Sequence, residues 1–145
     1  MVFYCYQKID YQTIHARGNE VIALNESILE TIREMLGPSV DYDAFDTDLI
    51  VHINTYLGVL NQLGIGVKGF HIEDANDTWE DFLTEQEKAI GITLNEVKTY
   101  LYLRVKMVFD PPASSTLATA MNENIAEIGW RLNARVETEL QGKGE

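Results

Sequence analysis

The sequence predicts an all-α fold: a small bundle of about five helices with a long C-terminal helix. Apolar residues recur every three or four positions over residues 94–109 and again over 115–140. Asp110-Pro111-Pro112 separates these segments, and no helix runs through two prolines, because proline fixes φ and lacks an N–H group. The chain has 145 residues and is 46% hydrophobic, which suits one domain with its own core.

Residues 1–22 do not share this helical pattern. Val2, Phe3, Tyr4 and Tyr6 have high β-propensity. Two interpretations stay open: an extended arm that pairs with a neighbouring chain, or a poorly ordered extension that starts from an upstream start codon. We therefore divide the chain into an N-terminal arm or extension (1–22), a single helical domain (23–141) and a frayed tail (142–145).

Targeting and redox features are few. The N-terminus lacks a basic leader and a long apolar region, so we expect no signal peptide. No apolar run approaches the ~20 residues of a membrane span. Cys5 is the single cysteine of the chain, which rules out an intramolecular disulfide and favours either a reducing compartment or a protein that is indifferent to redox conditions.

The first helix is predicted to begin near Asn25, a good N-cap residue, with Leu24 and Leu29 spaced as a hydrophobic staple. Gly37-Pro38 ends it, and an acidic loop at 38–46 follows. Its predicted buried face consists of Ile28, Ile32, Met35 and Leu36.

The second helix is predicted from about Thr47 to Leu63. Asp46 is the expected N-cap, because an acid favours the positive end of the helix dipole. Gly64 and Gly66 end the helix, and residues 66–72 are predicted as a short β-like or loop excursion. The predicted buried face consists of Leu49, Ile53, Tyr56, Leu57 and Leu60.

Two capping-box patterns predict two short helices near 78–83 and 85–90. The patterns are Asp77-Thr78-Trp79-Glu80 and Thr84-Glu85-Gln86-Glu87. We expect Trp79 and Phe82 to anchor the first of these helices to the core.

The last two helices are the most apolar. The segment 94–109 is apolar almost all round, which predicts a central helix. Over 115–140, about 26 residues reach ~39 Å; this length favours either a contact with another chain or the backbone of a monomeric bundle. If Trp130 and Leu132 are buried, alanine at either should cost roughly 2–5 kcal/mol. The two predicted stripes are Val97, Leu101, Val105, Val108 and Leu117, Met121, Ile125, Ile128, Leu132, Val136, Leu140.

The net charge of −12 is unevenly distributed. Residues 25–93 hold 14 acids and 3 bases, whereas residues 94–135 hold 4 acids and 5 bases. We expect no tight binding to duplex DNA, because such binding needs a clustered basic face. The acidic surface is compatible with solubility, with a basic protein partner, or with repulsion of DNA.

No motif indicates catalysis. The histidines His15, His52 and His71 are scattered and lack metal-ligand spacing. The acids that begin at Asp41 resemble a calcium loop, but position 12 of that loop is His52 rather than glutamate. Neither a nucleophile motif nor a phosphate-binding loop occurs. We therefore predict no catalytic, cofactor-binding or metal-binding residue and no enzyme activity, and we assign no partner-contact residues.

Six stretches carry a family resemblance: Asp46–Asn54, Leu60–Gly66, Trp79–Leu83, Val97–Val105, Phe109–Pro112 and Trp130–Asn133. In this order they resemble the head–tail connector proteins (adaptor or head-completion proteins) of long-tailed bacteriophages and prophages. The likeness covers roughly residues 23–135. Residues 1–22 depart from it, since members usually begin close to Ala23.

The resemblance implies a structural virion protein without catalytic residues. Such proteins form a ring, often of twelve subunits, below the portal protein at the head–tail interface, after assembly in the host cytoplasm. The ring extends the channel for passing DNA, which it does not recognise by sequence, and it docks a stopper or tail-completion protein. The alternative is an acidic protein-binding module, a DNA mimic or a regulator of a basic partner, supported by the charge of residues 25–93.

Overall fold

The computed structural model describes residues 24–37, 43–90 and 94–142, and the predicted arm 1–22 lies outside these ranges. Within them the chain forms α-helices and one 3-10 turn, without a β-strand, so the predicted all-α class is confirmed. Residues 66–72 form a loop rather than a strand. The helices are α1 (Ile28–Leu36), α2 (Asp46–Gln62), α3 (Trp79–Phe82), α4 (Glu85–Ile90), α5 (Leu94–Phe109) and α6 (Ser115–Gly142), and the 3-10 turn is Asp43–Phe45.

Helix α5 is the centre of the bundle, as its apolar sequence predicts. It packs against α1, α2 and α6. The predicted stripe is buried except at its end, where Val108 is 46% exposed. The buried residues of α5 are Leu94, Val97, Tyr100, Leu101 and Val105.

The start of α1 differs from the prediction. Ser27, not Asn25, is the N-cap, and its side chain accepts a hydrogen bond from the Glu30 N–H at 3.2 Å. The cap lies here because the preceding residues pair with the start of α3, where the Trp79 N–H donates to the Glu26 carbonyl at 3.2 Å.

The rest of α1 follows the prediction with one exception: Met35, predicted in the core, is 38% exposed. The predicted stop at Gly37 is confirmed by its φ of 107°.

Asp46 does not cap α2, so this prediction was wrong. Phe45 is the N-cap and makes no side-chain capping bond. Asp46 is instead the first residue of the helix, where its carboxylate pairs with the Arg33 guanidinium of α1. Both side chains are partly buried, so the ion pair ties α1 to the start of α2. The predicted buried face of α2 is confirmed at Leu49, Ile53, Leu57 and Leu60, and Tyr56 is half-buried.

The two short helices are confirmed, but the first capping box is shifted by one residue. Thr78, not Asp77, caps α3, and its partner is Asp81 instead of Glu80. Trp79 and Phe82 are fully buried, as predicted. Around α4, the Thr84 side chain accepts from the Glu87 N–H at 3.2 Å, while Glu87 accepts from the Thr84 N–H at 2.9 Å.

The predicted stripe of α6 is buried only in its middle. Leu132 is fully buried, whereas Leu117 and Leu140 at the two ends are 52% and 63% exposed. The helix is therefore longer than the core that it covers. Met121 and Ile125 are also buried, and Ile128 and Val136 are half-buried.

Candidate assembly surfaces

A short elbow joins α5 to α6 at Asp110-Pro111-Pro112. The Asp110 N–H donates to the Lys106 carbonyl at 3.0 Å, and the Lys106 ammonium lies 2.8 Å from the Asp110 carboxylate. After the prolines, the Ser114 hydroxyl accepts from the Leu117 N–H at 3.4 Å as α6 begins. Fixed proline φ angles and these bonds set the direction of α6.

An aromatic cluster lies where α2 begins, beside the end of α5. The ring of Phe109 packs edge-on to Phe45, with 5.9 Å between centroids, and lies 6.5 Å from the ring of His52. Phe45 is 42% exposed and Val108 is 46% exposed. Sequence periodicity missed Phe45, because it precedes the helix and belongs to no stripe.

The outer ridge is the solvent-facing line of α6 formed by Ala126, Trp130 and Ala134. Trp130 is 71% exposed, so it is not a core residue and the destabilisation predicted for a buried Trp130 does not apply. Leu132 is fully buried, so the destabilisation predicted for its replacement by alanine stands. The helical period contains the signal for this difference. Leu132 lies two positions after Trp130, which places the two side chains about 160° apart around the helix.

The recess is a second apolar surface, between α4 and α6, with a volume of about 340 Å³. Gly64 and Gly66 have φ of 88° and 85°, a conformation that glycine adopts without steric cost. A Cβ at Gly64 would lie 2.9 Å from the Val136 side chain, so glycine permits this close approach of α2 to α6. The lining consists of Gly64, Gly66, Thr84, Gln86, Glu87, Val136, Glu139 and Leu140.

Glu87 holds the floor of the recess in place. One carboxylate oxygen accepts from the Gly66 N–H at 2.6 Å and the other from the Thr84 N–H at 2.9 Å. The residue is 5% exposed. Its capping role was predicted from Thr84-Glu85-Gln86-Glu87, but its bond to Gly66 was not, because 21 residues separate the two.

The basic side chains are largely neutralised. In the described ranges, six of the eight lysines and arginines form ion pairs with carboxylates. Arg104 instead packs over the rings of Tyr56 and Tyr100, with 5.5 and 5.4 Å to the centroids. The described surface therefore offers no cluster of free cations to a phosphate backbone.

The residues considered for metal or catalytic chemistry are not brought together. In the described part of the chain, no group of three His, Cys, Asp or Glu could hold a metal ion. His52 lies beside Phe109, while His71 lies 3.7 Å from Glu73 on the exposed loop. Cys5, His15 and Asp41 lie outside the described residues.

Among residues 24–37, 43–90 and 94–142, no helix has the length and apolarity needed to cross a bilayer.

Comparison with known protein families shows what the chain is similar to. A family model described as "Phage connector protein" matches residues 28–139. Searches of curated proteins and of solved structures each gave no significant match. The matched range runs from the start of α1 almost to the end of α6 and includes the elbow, the outer ridge and all of the recess lining except Leu140.

Proposed function

Because the chain belongs to the phage connector protein family, we propose that it is a ring-forming adaptor at the junction of phage head and tail. The family places it among the structural components of the virion, where it interacts with other head or tail proteins. In this proposal, twelve subunits form a ring that lies below the portal protein. The ring extends the DNA channel and docks a stopper protein. Its role is structural, not enzymatic.

The observation that carries the ring is the surplus apolar surface of α6. The helix has 28 residues, yet Leu117, Trp130 and Leu140 are each more than half exposed. Among them Trp130 supports the proposal most, because exposed tryptophan is enriched at protein–protein interfaces. A rigid elbow at Asp110 then fixes the angle at which this surface meets its neighbour.

The electrostatics suit a conduit for DNA. A protein that neutralises phosphates with free lysines and arginines binds DNA tightly. Here most of the described cations are already paired with carboxylates, and the net charge is −12. Such a surface would let DNA pass without holding it.

The acidic binding module is the weaker explanation. Several of the acids in residues 25–93 have structural roles: Asp81 and Glu87 cap helices, Asp77 accepts from loop N–H groups, and Asp46 pairs with Arg33. These acids are part of the fold, so their number does not by itself indicate a basic partner.

Electron microscopy of the protein mixed with the portal of the same phage tests the proposal. We expect a ring of added density on one end of the portal, absent from portal alone. A protein that stays monomeric without portal would not contradict this, since a ring can require its template. Failure to bind the portal or any tail-completion protein would refute it, and capture of a basic protein that is lost at high salt would favour the alternative.

A further inference from the structure

Unpaired carboxylates lie on several helices of this chain, whereas nearly all of the described bases have partners within it. On the basis of the proposed ring, we propose that electrostatic repulsion keeps free copies of the chain apart, and that they associate only when dissolved cations screen this charge. Surface charge thus regulates when the subunits assemble.

The bases of one copy are not available to the acids of another. The described ranges hold 19 acids and 8 lysines and arginines, which gives a net charge of −11. Six of these bases form ion pairs with acids of the same chain, and the Arg104 guanidinium lies over two tyrosine rings. In the described part of the chain, Lys68 alone has neither kind of partner. An approaching copy therefore meets acids with almost no free base among them.

Five exposed carboxylates form neither an ion pair nor a hydrogen bond within the described residues. They lie on α1, α2, α3 and α6, and they are Glu30, Glu34, Asp48, Glu80 and Glu123. None has the bonds that tie Asp46 and Glu87 into the fold. Because these carboxylates stay hydrated and unpaired, their charge adds to the negative field around the chain.

The positions of these acids oppose contact between the exposed apolar side chains of two copies. On α2, Asp48 lies three residues before Val51, which is 58% exposed, so the two side chains are neighbours on the helix surface. On α6, Glu123 lies seven residues before Trp130, two turns earlier on the same face. A second copy that covered Val51 or Trp130 with the same surface would bring like charges together, which is unfavourable.

Ionic strength determines how far this repulsion reaches. At about 0.01 M salt the screening length is ~30 Å, so acids on every side of one copy repel those of the next. At about 1 M it is ~3 Å, and only charges in direct contact interact. The exposed apolar residues of α6 can then make contact without the opposing field.

Sedimentation of the full-length protein at low and high NaCl concentration tests the inference. A triple variant, Glu34→Gln with Asp48→Asn and Glu123→Gln, removes one unpaired charge from each of the three helices that pack against α5. Lys68→Gln changes the net charge in the opposite direction. Circular dichroism first verifies that both variants fold like the parent protein.

We expect the parent protein to associate at least about tenfold more strongly in ~1 M than in ~0.01 M NaCl. At low salt the triple variant should have the largest association constant and Lys68→Gln the smallest. The three proteins should become alike at high salt. Any effect of NaCl on apolar contacts is the same in all three, so the differences among them at low salt measure the charge alone.

Three results would overturn the inference. The first is equal association of the three proteins at low salt. The second is association of the parent that weakens as salt is added, because ion pairs between copies would then hold them together. The third is a parent protein that stays monomeric at both salt concentrations, since something other than charge would then keep copies apart. Each of these leaves the ring on the portal standing, whereas the absence of rings in the presence of portal would refute the proposed function itself.

Discussion

Replacing Glu87 with glutamine is expected to destabilise the protein by about 2–3 kcal/mol. The Glu87 carboxylate accepts from the Gly66 N–H at 2.6 Å and from the Thr84 N–H at 2.9 Å, one bond at each oxygen. A glutamine side chain has one acceptor oxygen and one NH₂ donor. Whichever way the amide is turned, one backbone N–H therefore faces another donor and loses its partner.

The magnitude follows from burial and charge. Glu87 is 5% exposed, so water does not easily replace the lost partner. A hydrogen bond to a charged group contributes ~1.5–3 kcal/mol, and an unsatisfied buried donor costs ~1–3 kcal/mol. For a chain of this length, a loss of about 2–3 kcal/mol lowers Tm by roughly 4–12 °C.

Urea and thermal unfolding followed by circular dichroism measure this effect. Glu85→Gln is the matched control: it makes the same chemical change two residues away, where the side chain is 91% exposed, and it should alter the free energy of unfolding by less than about 0.5 kcal/mol. If the two variants unfold with the same free energy, the Glu87 carboxylate does not hold the loop, and the account of a rigid recess is refuted.

Four further substitutions test the packing of the helices and the ion pair between α1 and α2. Leu132→Ala should destabilise the protein by roughly 2–5 kcal/mol, seen as a lower urea midpoint, because this fully buried side chain leaves a cavity; an unchanged midpoint would contradict its burial. Gly58→Ala should raise stability by about 0.5–1 kcal/mol, since a Cβ there meets nothing within 4 Å inside a helix. In the same assay Gly129→Ala should gain less or lose stability, because its Cβ would lie 3.3 Å from a tyrosine ring; equal gains would disprove the difference. Asp46→Ala should cost about 1–3 kcal/mol by leaving the partly buried Arg33 unpaired, and a double-mutant cycle with Arg33→Ala that gives no coupling energy would show that the pair contributes nothing.

Local patterns were sufficient to predict most of the helices. The period of apolar residues located α2, α5 and α6, and glycine or proline marked where α1 and α5 end. The second capping box predicted Thr84 and Glu87 as partners because both groups lie within one helical turn. Each of these signals depends on residues no more than four positions apart, so the sequence alone contains them.

The candidate surfaces were less accessible to sequence reasoning. The long apolar stripe of α6 indicated surplus apolar surface but not which part of it stays uncovered. Burial of Leu132 and exposure of Leu140 depend on how much of α6 is covered by α5, which packs against it. Trp130 was considered for the core because it is large and apolar, yet its direction from the helix axis leaves it outside.

Charge, helical period and proline geometry are properties of neighbouring residues, so the sequence alone predicts an acidic, all-α chain with a proline elbow between its two most apolar helices. The pairing of Asp46 with Arg33, the bond from Gly66 to Glu87 and the exposure of Trp130 are visible only in the folded chain. These features depend on residues that are far apart in the sequence. Contacts between residues 13 and 21 positions apart form only when separate helices pack, and packing also determines which apolar side chains remain for a partner.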